Sequence, residues 1–241
     1  MTKSRIGIVG AGIGGLSLAT ALRDCGLVDQ TVFERNEGLS SRGGTIRIDP
    51  PTQRVLSKIG VLDEVEKTGI RNKYFETHSN GRLVHRMYYA TKNDNHLISI
   101  SREALQRILA NNLGHQLIAF NQSVTDIDDE QTTLQFSDGS EQAFDLIIGA
   151  DGVFSVVANK ILPVADLPEF TGLVVYYCYA IGEFLPELAH TEHYISHGGT
   201  GFRQVTVAGG ARDGEHGDAS LGQLTGVGEA CRALIWTCSV T

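Results

Sequence analysis

Residues 5–15 read Arg5-Ile6-Gly7-Ile8-Val9-Gly10-Ala11-Gly12-Ile13-Gly14-Gly15, and the segment after them closes on Thr31-Val32-Phe33-Glu34-Arg35. Ile6, Ile8 and Val9 form a short apolar run, the pattern of a buried parallel strand. Gly10, Gly12 and Gly15 follow in G-x-G-x-x-G spacing. Leu16, Ala19, Leu22 and Arg23 recur at helical period, and Gly26 stands where a C-terminal glycine belongs. Thr31-Val32-Phe33 reads as a second strand that ends at Glu34.

Each of these residues has a physical task in such a unit. Gly10 permits a tight strand-to-helix turn, Gly12 lets backbone approach a pyrophosphate, and Gly15 lets helix pack closely on strand. The exposed N–H groups at the helix start, with the positive end of its dipole, then face phosphate. Ala11 and Gly14 complete the turn. Glu34 lies about 20 residues beyond the glycines, where a carboxylate accepts hydrogen bonds from a ribose diol. A 2′-phosphate there meets a negative charge, so the site suits FAD or NAD and disfavours NADP. The alternative is a glycine-rich turn with no ligand. Strand, glycines, helix, strand and terminal acid in order favour the dinucleotide.

The 241 residues suffice for one large domain or two small ones, and an apolar fraction of 41% supports a core. A formal net charge of −8 argues against a nucleic-acid or anionic-membrane partner. Cys25, Cys178, Cys231 and Cys238 are scattered without metal-ligand or redox spacing, which points to reduced thiols and a cytoplasmic setting. No run is long enough to span a membrane.

Residues 36–50 read as a loop in which Gly43-Gly44 allows close backbone approach. Arg42 and Arg47 flank it, either as solvated charges or as contacts to phosphate or ring carbonyls. Pro50-Pro51 opens a helix whose face is Val55, Leu56, Ile59, Leu62 and Val65, with Gly60 as a weak point that divides it in two. Tyr74–His78 and Leu83–Tyr88 read as a hairpin around Asn80-Gly81. Ser101 caps a helix from Arg102 to Leu113, with Leu105, Ile108 and Leu109 inward and Gly114 ending it. Arg102 in the first turn opposes the helix dipole unless an anion lies near. Short strands follow at 117–120 with 124–127, 132–136 and 144–148. Asp151 and Gly152 follow a buried strand, and a helix begins near Ser155. Asp151 either accepts from a ribose or ribityl hydroxyl or caps that helix.

Read together, these stretches resemble the FAD-dependent aromatic hydroxylases, the group A flavoprotein monooxygenases with the p-hydroxybenzoate hydroxylase fold. The resemblance rests on the glycine motif with Glu34-Arg35, on Ser101-Arg102-Glu103-Ala104-Leu105, and on Gly149-Ala150-Asp151-Gly152 leading to Ser155. Gly43-Gly44-Thr45 is similar to tetracycline-modifying members. It implies an α/β fold: an FAD-binding, Rossmann-type (glutathione-reductase-like) parallel sheet with an antiparallel substrate-side β layer. The expected division is 1–73 with 97–164 for FAD, 74–96 with 165–212 for a partial substrate layer, and 213–241 as a shortened C-terminal segment. The resemblance further implies that Arg35, Arg42 and Gly44 line the cofactor. Arg102 contacts the pyrophosphate side, Val124 packs near adenine, and Asp151 with Gly152 serves both FAD and a passing nicotinamide.

The implied activity is monooxygenation of an aromatic or polycyclic small molecule with NAD(P)H and O2. The alternatives are an incompetent FAD- or ADP-binding fragment and an FAD-dependent reductase or dehydrogenase. Two departures from the family pattern stand out. Ala158 takes the place of an arginine that usually follows the Asp-Gly motif. His216-Gly217-Asp218, similar to the family's second Gly-Asp motif, arrives early, with Asp218 as the expected ribityl contact. Thr171–Ala180 and Gly201–Ala208 read as strands of the substrate layer. His190, His193 and His197 raise zinc, but no carboxylate or thiol set completes a site.

Overall fold

Alternating apolar runs and glycine turns at the start of the chain produce a parallel sheet rather than a hairpin, because a helix-forming segment separates the strands. The computed structural model describes residues 3–39, 44–72, 74–79, 82–89, 96–128, 130–162, 173–176, 193–199, 202–207 and 236–239. In chain order the elements begin with β1 (Ser4–Val9), α1 (Ile13–Arg23), β2 (Val28–Phe33), β3 (Thr45–Ile48), α2 (Pro50–Lys58) and α3 (Leu62–Thr68). Next come β4 (Ile70–Asn72), β5 (Tyr74–Ser79), β6 (Arg82–Tyr88), β7 (Leu97–Ser101) and α4 (Arg102–Leu113). After a 3-10 turn at His115–Leu117 come β8 (Ile118–Ala119), β9 (Val124–Asp128), β10 (Thr133–Phe136), β11 (Glu141–Ala143), β12 (Leu146–Gly149) and α5 (Val156–Ile161). The last are β13 (Leu173–Tyr176), β14 (His193–Gly199), β15 (Phe202–Val207) and β16 (Trp236–Ser239).

The chain divides into two units. The first comprises Met1–Arg42, Val55–Glu64 and Glu103–Glu169. Its main sheet is parallel, in the order β12-β1-β2-β8, and a second, antiparallel sheet runs β11-β10-β9. Ile8, Leu16, Ala19 and Val32 are fully buried where α1 covers the parallel sheet. Each large side chain sequestered this way contributes roughly 1.5–3 kcal/mol. The two sheets share one core of Val9, Phe33, Val124, Ile127, Leu134, Phe136, Phe144 and Val157. Phe33 lies 5.0 Å from Phe136 and meets Phe144 edge-on at 5.7 Å, so one β2 side chain ties both sheets together.

The second unit comprises Gly43–Arg54, Val65–Arg102 and Phe170–Thr241. An antiparallel sheet β3-β7-β4 buries Ile48, Ile98 and Ile100. A six-stranded sheet runs β13-β16-β15-β14-β5-β6. Its pairings are antiparallel except β14 with β5, which is parallel. Long intervening chain makes that parallel pairing possible, since only a long crossover can join parallel neighbours. The layer expected to be antiparallel is therefore mixed. In its β5–β6 hairpin the buried Glu76 carboxylate accepts from Arg86 Nε at 2.6 Å, and the guanidinium lies 4.8 Å from the Tyr74 ring centre.

Several local expectations hold. The expected helix over Arg102–Leu113 is α4, the division near Gly60 separates α2 from α3, and the helix expected to begin near Ser155 is α5. Others do not. Thr45–Ile48, inside the expected loop, is a strand paired with β7. Leu56, Ile59 and Val65 are buried as expected, but Val55, expected inward, is 54% exposed, because the buried side of α2 continues through Gln53. Asn80-Gly81 and Arg42-Gly43 lie outside the described residues, as do Tyr177–Ala180, His190 and 213–235 with Asp218. No helix among the described residues is long and apolar enough to cross a membrane, and no cluster of potential metal ligands occurs among them.

Candidate functional site

At the C-terminal edge of the parallel sheet, backbone bonds bring four chain segments to one ledge. Gly10 N donates to Phe33 O (2.8 Å), Ala150 N to Val9 O (2.7 Å), and Glu34 N to Ala119 O (2.9 Å). Ligands of open parallel sheets bind beyond such an edge.

The glycines of the turn fall into two kinds. Gly10 has φ +104°, and a Cβ on it would lie 2.4 Å from Ala150 O. A Cβ on Gly15 would lie 2.0 Å from Gly10 O. Both are glycine because the protein's own backbone leaves no room. Gly12 differs. Its φ of −73° and ψ of 178° suit any residue, and a Cβ there meets nothing within 4 Å among the described residues. Gly14 is equally open. Gly12 is also the N-cap of α1 and offers no side-chain cap to the first-turn N–H groups. The turn thus presents open space above uncapped donors, which fits a pyrophosphate and has no use within the protein itself.

Ala11 is fully buried and held from both sides. Its N–H donates to Glu34 Oε2 at 3.1 Å, and its carbonyl accepts from Gln106 Nε2 at 2.6 Å. Glu34 Oε1 accepts from Asn36 N (3.0 Å) and Asn36 Nδ2 (2.5 Å). The carboxylate retains lone pairs for a further donor, since two oxygens offer about four acceptor positions. Sequence reading missed Gln106 and Asn36. Gln106 had a signal: it stands among Leu105, Leu109, Ala110 and Leu113 on the buried stripe of α4, where an amide requires a partner.

Asp151 lies beside this ledge, just after β12. Its Oδ1 accepts from Ser155 Oγ (2.5 Å) and its Oδ2 from Val156 N (2.6 Å) and Val157 N (3.3 Å). Ser155 Oγ in turn accepts from Ala158 N at 2.9 Å. Aspartate and serine together cap α5, which is the capping alternative raised by the sequence. Gly152 is exposed with φ +87°.

Residues 3–175 match the family described as FAD binding domain. The chain belongs to the FAD-binding family of aromatic hydroxylases. It is 33% identical over 217 residues to 3-amino-4-hydroxybenzoate 2-monooxygenase of Streptomyces cremeus, covering 86% of this chain and 54% of that protein. Against 6-hydroxynicotinate 3-monooxygenase of Bordetella bronchiseptica it is 29% identical, covering 72% of this chain and 47% of the relative. The chain spans about half the length of the curated relatives it matches. The fold agrees with that of Klebsiella pneumoniae HpxO complexed with FAD and uric acid, at TM-score 0.74 and 24% identity, over 85% of this chain and 53% of that one.

Not every residue expected to serve this FAD-binding family member joins the ledge. Arg35 follows Glu34 and is exposed. Val124 is only 8% exposed and its side chain belongs to the core. In the second unit, Arg102 N donates to Gly44 O at 3.0 Å, continuing the β3–β7 ladder that pairs Thr45 with Ser101. This brings two of the expected cofactor residues together. Arg47, also in that unit, donates to Tyr89 Oη at 3.4 Å; burial pushes the Tyr89 phenol up and Arg47 opposes it.

Proposed function

We propose that the chain carries the part of an FAD-dependent monooxygenase that holds the ADP half of the cofactor, in a protein that hydroxylates a small aromatic molecule with NAD(P)H and O2. The observation that carries this reading is Gly12: a glycine that neither backbone conformation nor packing requires, standing over uncapped helix donors. Family membership and relatives that act on aminohydroxybenzoate and hydroxynicotinate support the aromatic substrate class. The scattered cysteines support a reducing, cytoplasmic setting.

In this reading Gly12, Ile13 and Gly14 present N–H groups to the pyrophosphate, and Ala11 shapes the turn through its two internal bonds. Glu34 accepts from the ribose, and the family resemblance alone assigns cofactor contacts to Arg35, Arg42, Gly44 and Arg102. The resemblance assigns Val124 to packing near adenine, Asp151 and Gly152 to FAD and the nicotinamide, and Asp218 to the ribityl chain. When bound, FAD supplies electron transfer from NAD(P)H and activation of O2. The protein's part is to bind, orient and exclude water.

The contacts made by described residues cluster at the glycine turn and Glu34, which supports a second reading in which FAD is held by its adenosine end without hydroxylation. Competition separates the two: ADP displaces FAD at nearly equal concentration if the adenosine half carries the affinity, and far less well if flavin contacts contribute.

Glu34→Ala is expected to weaken FAD binding by roughly 1–3 kcal/mol, the scale of a hydrogen bond to a charged group. The upper end is favoured because the Ala11 N–H loses its acceptor too. Titration of FAD quenching measures it, and unchanged affinity would remove Glu34 from the site.

A further inference from the structure

Gln106 has no role in the reading above, yet its environment is unusual. It is 3% exposed, and its Oε1 has no hydrogen-bond partner among the described residues. Leu105, Leu109 and Leu113 on the same helix are buried and apolar. A methionine or leucine at 106 would pack in that stripe without an orphaned acceptor. What the glutamine gains is the 2.6 Å bond from Nε2 to Ala11 O. The amide orientation is set by chemistry, since a carbonyl only accepts.

A trans peptide is planar, with its C=O and N–H pointing in opposite directions. Holding the Ala11 carbonyl therefore also fixes the N–H of Gly12, in the same peptide, and aims it away from Gln106. The preceding peptide is fixed too, because the Ala11 N–H is taken by Glu34. Of these two adjacent donors, the Ala11 N–H is consumed inside the protein, and the Gly12 N–H donates to no described residue.

We infer that Gln106 is a positioning residue that orients the Ala11–Gly12 peptide so that the Gly12 N–H meets a ligand phosphate. The inference rests on the dinucleotide reading of the site. It assigns the phosphate contact to Gly12 N–H and excludes Ala11 N–H.

The test compares ADP with adenosine, which lacks the phosphates, on the purified chain and on Gln106→Met and Gln106→Glu. Both substitutions keep the side-chain length and remove the amide donor. Circular dichroism establishes folding. The expected result is that ADP affinity falls about tenfold or more while adenosine affinity is unchanged, because only the phosphate-dependent increment is lost. Equal losses for both ligands, or no loss for either, would overturn the inference. Failure of the unsubstituted chain to bind ADP would instead defeat the dinucleotide reading. If neither variant folds, amide chemical shifts of the unsubstituted chain decide. Added ADP should move the Gly12 amide and leave the Ala11 amide in place, and the reverse pattern would overturn the assignment.

Discussion

Gly12→Val is expected to abolish FAD and ADP binding while leaving the protein folded. Valine fits the backbone there, since φ is −73° and ψ is 178°, and its Cβ meets no atom of the described residues within 4 Å. The position is the N-cap of α1, and replacing glycine by valine at an N-cap costs no more than about 1 kcal/mol. The added methyl groups stand where phosphate would lie, so affinity should fall by at least about 100-fold, the result of excluding backbone from its anion. A thermal melt and an ADP titration on the same sample check both halves. A folded variant that binds normally would show that phosphate does not lie over Gly12.

Gly15→Ala, three residues on, is expected to fail the opposite way. Its Cβ would fall 2.0 Å from Gly10 O and 3.3 Å from the Ala150 Cβ. Gly10 cannot retreat, because its own N–H is bonded to Phe33 O at 2.8 Å and Ala150 N is bonded to Val9 O at 2.7 Å. Relief requires α1 to lift from a sheet in which Leu16 and Ala19 are fully buried. The expected destabilisation is about 3 kcal/mol or more, the upper range of overpacking against rigid backbone. A chain this size should then melt roughly 10 °C lower. A melting point within a degree or two of the parent would mean that the turn is looser than its bonds imply.

These two glycines also mark where sequence reading succeeds and where it stops. Their spacing alone separated a phosphate-facing glycine from a packing glycine, because the strand–turn–helix unit is local and its constraints are short-range. The α4 boundaries and the helix start near Ser155 were legible for the same reason. Thr45–Ile48 was not. Its four residues alternate as a strand would, but the run is short and follows Gly43-Gly44, and the partner that makes it a strand, β7, lies some fifty positions away. Val55 was misplaced because the buried face of this stretch runs at three-residue steps through Gln53, Leu56 and Ile59, which leaves Val55 beside it on the solvent side. Asp151 left two readings open in the sequence. Its bonds to Ser155, Val156 and Val157 fill the capping one, and its cofactor role remains the proposal above. The Gln106–Ala11 bond joins residues 95 positions apart, which no local pattern can express.

The two-sided grip on Ala11 also bears on how fast and how selectively the turn can work. A glycine-rich loop left to itself samples many conformations, and a ligand must freeze them on arrival. Here Glu34 and Gln106 have already frozen the central residue during folding. The entropy of ordering is lost before the ligand comes, so little of the binding energy is spent on it. The same rigidity makes the turn an all-or-none receptor. It accepts a diphosphate in the one geometry its amides define, and it has little capacity to remodel itself around an anion of another shape.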